Sequence, residues 1–297
     1  MLKTRNVLLA LISLILCSCS KSPFLNGAIM EETRYIEGNF TVLEVEDNVN
    51  VKLVHDLNPS DKIKTHIRAN ENLIDELSMD IHGDTLTIQN NNSFNWLRPY
   101  NCTLETTVYY DSIKKIVFNS NGILQSDILR GCSINDTVFE EDGSLTISQR
   151  THLYLQIEGG GGDVNLLVNC DRMHTNYEWG TATVNLKGST GIAYTSTSYN
   201  CHGPIDSQEM ESNYHYIYSY GTNKVIVKAF HEVNAHNFNN GIVCYLRYQV
   251  TQPQIIWGHY DDNGAWIPPQ TINITHSCPK HIVYEGEPSR LDSIVLN

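Results

Sequence analysis

The sequence predicts an all-β protein, built mainly as a right-handed parallel β-helix, or β-solenoid, of about seven 20-residue rungs that follow an N-terminal β region. Three observations lead to this fold class. Short runs rich in Val, Ile, Thr and Tyr end in Asn, Asp or Gly, and no long stretch has the apolar period of a helix. Between residues 118 and 243 a block with a glycine-containing corner recurs, and stacked repeats of this kind bury one continuous core.

The repeat is defined by the aliphatic residue that follows each corner. These residues recur at intervals of 18 to 21 positions and are Leu124, Leu145, Val164, Val184, Ile205, Val225 and Val243. We expect glycine at the corners, because a side chain there would collide with the neighbouring rung. The corner glycines are Gly122, Gly143, Gly180, Gly203, Gly221 and Gly241.

The chain of 297 residues begins with a segment typical of an exported protein. Lys3 and Arg5 precede an apolar run at residues 7–16, which is too short to cross a bilayer. We therefore predict a signal peptide at residues 1–18. An irregular tether is expected at residues 19–35.

The end of this leader is similar to a bacterial lipobox, because Leu16 and Ser18 stand three and one positions before Cys19. The resemblance implies that Cys19 carries the lipid and that the protein is a lipoprotein anchored in the outer membrane. The sequence leaves open whether the protein faces the periplasm or the exterior. Ordinary secretion after a small residue is the alternative.

The formal net charge of −13 bears on the partners of the protein. An acidic surface argues against nucleic acid and against anionic lipid as ligands. The expected partners are the membrane, through the N-terminal lipid, a glycan or protein ligand, and a second copy of the chain in a homo-oligomer.

Besides Cys19, six cysteines follow the leader. An even number in an exported protein is compatible with disulfides, and buried free thiols are the alternative. None of the spacings is typical of a zinc site, so we predict neither a metal nor a cofactor. The six residues are Cys102, Cys132, Cys170, Cys201, Cys244 and Cys278.

Two regions flank the repeats. Residues 36–110 alternate apolar and polar positions and predict strands at 40–45, 49–54 and 62–68. Residues 268–297 are rich in proline and predict a C-terminal cap or tail. A solenoid needs such a cap, because an uncovered last strand presents an adhesive edge.

The order of several short motifs resembles the head GIN domain family, a family of unknown function common in Bacteroidetes lipoproteins. The motifs include Gly83-Asp84-x-Leu86-x-Ile88, Ser120-Asn-Gly122-x-Leu124 and Asn240-Gly241-x-Val243-x-Tyr245. The resemblance covers residues 36–267 and implies a stacked β-strand solenoid with an adhesin label. It implies no catalytic residues.

Aromatic residues form the candidate ligand-binding set. Four tyrosines alternate along one strand, and further rings stand on the neighbouring rungs, where an exposed ladder could stack against sugar rings. Cross-strand packing that only stabilises the sheet is the alternative. The seven residues are Tyr177, Trp179, Tyr199, Tyr214, Tyr216, Tyr218 and Tyr220.

Acidic residues support an alternative hypothesis, in which the protein is a carbohydrate-active β-helix hydrolase or lyase. Such an enzyme needs carboxylates that converge in one groove. The candidates are Glu140, Glu141, Asp142, Glu158 and Asp163, and the pair Asp261 and Asp262 lies in a predicted solvated turn.

Histidines do not form a convincing metal site. His231 and His236 are five residues apart, a spacing that should direct their side chains to opposite faces of a strand. The sequence therefore favours a non-enzymatic outer-membrane lipoprotein that serves adhesion, glycan or ligand capture, or envelope scaffolding.

Overall fold

The computed structural model describes residues 27–58, 60–92, 103–139, 145–257, 259–260, 262 and 265–295. Its strands form one 19-stranded, nearly closed, barrel-like sheet and a separate two-stranded hairpin, so the all-β prediction is confirmed. The predicted signal peptide, Cys19 and most of the predicted tether lie outside the described residues.

The N-terminal part consists of short strands and one helical turn. Its elements are β1 (Ile29–Glu37), β2 (Val42–Asp47), β3 (Asn50–His55), β4 (Lys62–Asn70), α1 (Glu71–Ile74), β5 (Leu77–His82), β6 (Thr85–Asn90) and β7 (Leu104–Tyr110). The strands predicted in this region correspond to β2, β3 and β4. In β4 the apolar residues Ile63 and Ile67 point into the core while lysines alternate with them at its start, as a half-buried strand requires.

The central part contains the long strands. They are β8 (Lys115–Ser120), β9 (Ile123–Arg130), β10 (Cys132–Phe139), β11 (Leu145–Gly159), β12 (Asp163–Gly180), β13 (Thr183–Cys201), β14 (Ile205–Ser219), β15 (Lys224–Asn237) and β16 (Ile242–Ile256).

Parallel pairing connects β12 to β16 in order along the chain. The aliphatic positions of the sequence repeat align directly: Val164 pairs with Val184, Val184 with Ile205, Ile205 with Val225, and Val225 with Val243. All five side chains are fully buried. The spacing of the sequence therefore predicted the register of this ladder correctly.

The regular seven-rung β-helix is not confirmed, because one predicted rung is absent from the ladder. Leu124 pairs directly with Val164, forty residues later. Leu145 instead pairs with Phe139 in an antiparallel hairpin of β10 and β11. Only the later half of β11 rejoins the parallel ladder, where Leu155 lies between Ile116 and Thr175.

Glycines at the corners allow backbone to approach backbone. A Cβ on Gly203 would lie 2.0 Å from the carbonyl oxygen of Ala182, and one on Gly160 would lie 2.1 Å from that of Ser120. Gly160 also has a φ of +85°, which L side chains rarely adopt. Of the predicted corner glycines, Gly143 lies outside the described residues.

The core runs along the inside of the ladder and includes the thiols. Cys170, Cys201, Cys244 and Cys278 are buried, and Cys132 is partly buried; all five are free cysteines. Burial raises the pKa of the Cys170 thiol to about 11, as expected for an unreactive thiol. Cys102 lies outside the described residues.

The C-terminal part extends the sheet and also leaves it. Its elements are β17 (His259–Tyr260), β18 (Trp266–Ile267), β19 (Gln270–Cys278), β20 (His281–Glu285), a 3-10 turn (Pro288–Arg290) and β21 (Leu291–Val295). Strands β20 and β21 add in parallel to β15 and β16. The second half of β16 pairs antiparallel with β19, and we call this ribbon, residues 248–278, the arm. Within the described residues, no helix is long and apolar enough to span a membrane.

Substitution of Gly160 by alanine tests the corner constraint. We expect a loss of about 3 kcal/mol in the free energy of unfolding, since the new methyl group combines a left-handed φ with a backbone clash. Gly83 is the matched control, because its φ is also positive (+66°) but no atom lies within 4 Å of a Cβ built there. Gly83→Ala should cost about 1 kcal/mol. Equal losses in urea denaturation would contradict the steric explanation.

Candidate functional site

The alternating tyrosines of β14 lie on the outer face of the sheet. Tyr214 and Tyr218 are exposed and Tyr216 is half-buried, whereas His215 and Ile217 between them are buried. The period-two pattern therefore placed these rings correctly, but whether they contact a ligand depends on which ring faces are open.

Tyr216 ends a column of four rings that crosses the strands β11 to β14. The column is Tyr154, His174, Tyr194 and Tyr216, with successive centroid distances of 4.3, 4.7 and 5.4 Å and interplanar angles of 11°, 8° and 20°. Both faces of the two inner rings are covered. The column therefore stabilises the sheet, and its two inner rings offer no open face on which a sugar could stack.

Sequence reasoning missed the first three rings of this column. The signal that could have found them is their spacing, since Tyr154, His174, Tyr194 and Tyr216 follow one another at intervals of 20, 20 and 22 residues. The interval that relates the buried aliphatic positions therefore also relates the rings on the outer face.

Tyr214 and Tyr218 are also stacked on neighbours. Their partners are His231, at 5.4 Å, and His236, at 5.0 Å. Both histidines thus lie on the outer face, and the prediction that they point to opposite faces is wrong. The reason is a bulge: the register between β14 and β15 shifts by one residue just before Tyr214, which reverses the alternation.

Tyr177 is not part of the exposed set, and the prediction that it lies among the stacking rings is wrong. Its side chain is fully buried, because the alternation of β12 directs Met173, Thr175 and Tyr177 into the core. The phenol donates a hydrogen bond of 2.9 Å to the carbonyl oxygen of Ala182. Burial raises the pKa of Tyr177 to about 12.

Trp179 and Tyr199 lie near the C-terminal ends of β12 and β13, next to the corners, and both are exposed. A register shift between Tyr177 and Trp179 turns the indole outward. The ring lies over Gly159, where an added Cβ would be 3.3 Å from Cε3 of Trp179. Glycine at position 159 therefore creates the space in which the indole rests.

A second group of rings continues from this corner. Tyr199 contacts Tyr220 at 5.4 Å, and Tyr220 stacks on Phe238 at 4.6 Å. Of the predicted rings, Trp179 and Tyr199 are the most exposed, at 57% and 65%.

Beside Trp179 lies a groove with a volume of 580 Å³, which is within the range of roughly 300–1,000 Å³ that is typical of small-molecule sites. It crosses successive turns of the sheet. Its lining consists of Asp47, Asn119, Asn121, Gly160, Gly161, Trp179, Gly180, Thr181, Asn200 and His202.

Backbone hydrogen bonds hold these turns in place. Thr181 N donates to Gly160 O and His202 N donates to Gly180 O, each over 3.0 Å. The side chain of Asn121 accepts a bond of 2.9 Å from the Gly161 amide. The floor of the groove is therefore rigid, and the glycines leave it open.

The chemistry of the groove is that of a neutral polar ligand site. Asn119, Asn200 and His202 are exposed on its walls. The Nδ1 atom of His202 lies 2.7 Å from Oγ1 of Thr222. Amide groups both donate and accept hydrogen bonds, and the indole offers an apolar face beside them.

Carboxylates do not converge in this groove. Asp47 is the one acidic residue among the described residues that line it. Glu158 and Asp163 are exposed, and Glu158 accepts a hydrogen bond from Gln156. Glu140, Glu141, Asp142 and Asp261 lie outside the described residues, and Asp262 is exposed. Among the residues that the structure describes, no three His, Cys, Asp or Glu side chains are placed to hold a metal ion.

Comparison with known proteins identifies the family. The family model described as "Putative auto-transporter adhesin, head GIN domain" matches residues 39–246. The chain belongs to the head GIN domain family. The match lies within the span of the resemblance found in the sequence, and the groove beside Trp179 lies within the matched head GIN domain.

Solved structures are similar to this chain. A putative adhesin from Bacteroides fragilis aligns with a TM-score of 0.60 and 14% identity, over 90% of this chain and 95% of that chain. A putative lipid binding protein from Parabacteroides distasonis aligns with a TM-score of 0.48 and 15% identity, over 89% and 96% of the two chains. A putative adhesin from Parabacteroides merdae gives 0.46 and 14%, over 91% and 97%. No curated protein matches the chain.

A buried histidine behind the outer rings makes the domain sensitive to acid. His215 is fully buried, and its Nε2 atom lies 2.9 Å from Oγ1 of Thr195. Burial lowers the pKa of His215 from 6.5 to about 3. Burial also lowers the pKa of His174 to about 4, with further contributions from His152 and Arg172.

We expect stability to decrease as the pH falls from 6.5 towards 4. In this range the unfolded chain binds protons on His215 and His174, and the folded protein does not. Urea denaturation between pH 8 and 4 measures the free energy of unfolding at each pH. The variant His215→Leu should show a smaller change of this free energy with pH. His82→Gln, at an exposed position, is the control. If the unfolding free energy of His215→Leu depends on pH as strongly as that of the unmodified protein, His215 does not cause the loss of stability in acid.

Proposed function

We propose that the protein is a non-enzymatic, adhesin-like protein of the cell envelope that binds a neutral glycan in the groove beside Trp179. The observation that carries this proposal is the position of Trp179, an exposed ring seated on Gly159 beside the amide side chains of Asn119 and Asn200.

The groove combines the two kinds of contact that a sugar ring needs. The C–H face of a sugar packs on an open aromatic face, and its hydroxyls exchange hydrogen bonds with amide groups. The indole is already oriented by the glycine beneath it, so little conformational freedom is lost on binding. The two inner rings of the Tyr154–Tyr216 column, His174 and Tyr194, lack such an open face.

A carbohydrate-active enzyme is less well supported. Hydrolysis of a glycosidic bond by the usual mechanism requires two carboxylates on opposite sides of the bond. Asp47 stands alone in the groove among the described acidic residues.

The leader sequence bears on how the protein is anchored, and the sheet bears on how its strands wind. We infer that Cys19 is lipidated and that the protein is attached to the outer membrane, because the leader ends in a lipobox-like sequence. We also infer that the parallel ladder from β12 to β16 winds as a right-handed solenoid, in which each turn adds one corner to the ligand-binding edge.

Substitution of Trp179 tests the proposed site. Trp179→Ala should weaken binding to a neutral glycan at least tenfold, because one stacked ring contributes about 1.4 kcal/mol or more. The measurement is a glycan array followed by calorimetry on the best neutral saccharide. Tyr214→Ala removes another exposed aromatic ring outside the groove and should leave the affinity unchanged.

Three results would count against this proposal. The first is an equal loss of glycan affinity in Trp179→Ala and Tyr214→Ala. The second is the absence of saccharide binding by the unmodified protein, and the third is turnover of a glycan by the unmodified protein. Near-native unfolding free energies for both variants would show that the comparison reports binding and not folding.

Protease treatment of intact cells tests the envelope location. We expect digestion of the protein on intact cells, since an adhesin must reach ligands outside the cell. A Cys19→Ala variant should be released from the membrane fraction, because one acyl-bearing residue provides the anchor. Protection until the cells are lysed would contradict an adhesin role, and membrane retention of the variant would contradict the lipid anchor.

A further inference from the structure

The C-terminal end of the sheet is open. Strand β20 pairs only with β15, and β21 only with β16, among the described residues. Each therefore presents a row of free backbone N–H and C=O groups on its outer side. The side chains confirm the open end: Ile282 continues the core position of Val233, which is fully buried, yet Ile282 itself is 41% exposed.

The N-terminal part of the sheet is partly covered by a helical turn, although β1 is also an edge strand that pairs only with β4 among the described residues. There the helical turn α1 contacts β4 and β1, and its Leu73 and Ile74 are buried. The helical turn thus covers part of the N-terminal end, although Ile29, Met30 and Tyr35 of β1 are exposed, and at the C-terminal end Ile282 and Val283 are exposed. An exposed sheet edge with apolar residues is a site for pairing with another strand.

We propose that a second copy of this chain covers the open end, with β20 of one protomer pairing antiparallel to β20 of the other. A two-fold axis at Val283 would place each His281 opposite Glu285 of the partner subunit and each Ile282 opposite Tyr284 of the partner subunit. A strand that is complementary to its own reversed copy is what a two-fold interface requires. This self-complementarity favours a second copy over an unrelated protein.

The polar side chains at the two ends of β20, His281 and Glu285, can pair across this interface. Glu285 is bound to His236 within its own chain at 2.7 Å, and its side chain is still 70% exposed. It can therefore accept a second hydrogen bond from the partner's His281. A hydrogen bond between side chains that face each other across a strand pair stabilises the pair.

The arm beside this end provides further contact area. Every residue from Thr251 to Trp257 is exposed, so neither face of the two-stranded ribbon is covered by the protein's own sheet. A ribbon of two strands alone is marginally stable in water. Ile255 and Ile272 are among its exposed apolar residues. A second copy at the same end would bury part of them.

The charge of the arm makes this end the favourable place for self-association. The protein carries a net charge of −13, so two copies repel each other over most of their surface. Between residues 248 and 279 the only charged side chains are Asp261 and Asp262. Contact at the arm and β20 therefore brings together the part of the surface where repulsion is weakest.

Sedimentation of the full chain in a nonionic detergent tests the proposal. We expect a concentration-dependent dimer with twice the 33.6 kDa mass of the chain. Val283→Lys should raise the dissociation constant at least about tenfold, because it places two like charges on the two-fold axis. Leu167→Lys is the matched control, since Leu167 is similarly exposed but lies on β12, which is paired on both sides. It should leave the dimer intact.

Charge reversal separates strand pairing from a change in folding. Glu285→Lys should disrupt the dimer, and the double variant His281→Glu with Glu285→Lys should restore it, although the bond to His236 stays lost in both. A monomer at about 100 μM, at which a Kd of 10 μM would give mostly dimer, would overturn the proposal. So would equal effects of Val283→Lys and Leu167→Lys, or failure of the double variant to recover. Circular dichroism confirms that each variant is folded.

Discussion

The close stacking of backbone at the corners is the constraint on which the rest of the structure depends. At Gly203 and Gly160 there is no room for a Cβ, so successive turns approach each other directly and their amides bond across the corner. These contacts fix the register of the strands that follow. Once the register is fixed, each side chain lies beside the residue about 20 positions away, and columns of like residues result.

The columns explain why aromatic residues have different roles in different places. On the outer face of the strands, aromatic rings stack on one another and thereby stabilise the sheet. These rings are Tyr154, His174, Tyr194 and Tyr216. At a corner the chain turns away, and a ring such as that of Trp179 keeps one face open. The same residue type thus stabilises the fold on the strands and becomes available for a ligand at the turns.

The sequence predicts the parts of the fold that follow the repeat and fails where the repeat is interrupted. Val164, Val184, Ile205, Val225 and Val243 align because their spacing and the corner glycines agree. Leu145 has the same spacing but enters a hairpin, and that choice depends on long-range pairing with β10 that spacing does not encode. Alternation along β12 buries Tyr177, and a one-residue register shift just after it turns Trp179 outward; spacing alone cannot locate such a shift. The groove combines Asn121 and Gly161, forty residues apart, and only the ladder brings them together.

The proposed ligand site and the proposed contact between copies occupy different parts of one edge, and this separation has a consequence for binding strength. The groove includes the turn at Asn200 and His202, whereas β20 follows two further turns, at Tyr220 and Phe238. At about 4.8 Å for each added strand, a partner docked on β20 would leave the groove accessible. A two-fold dimer would therefore carry two open grooves. For a polymeric ligand with repeating sugars, the second contact becomes intramolecular, so that two weak sites can give strong attachment without any additional contact in either groove.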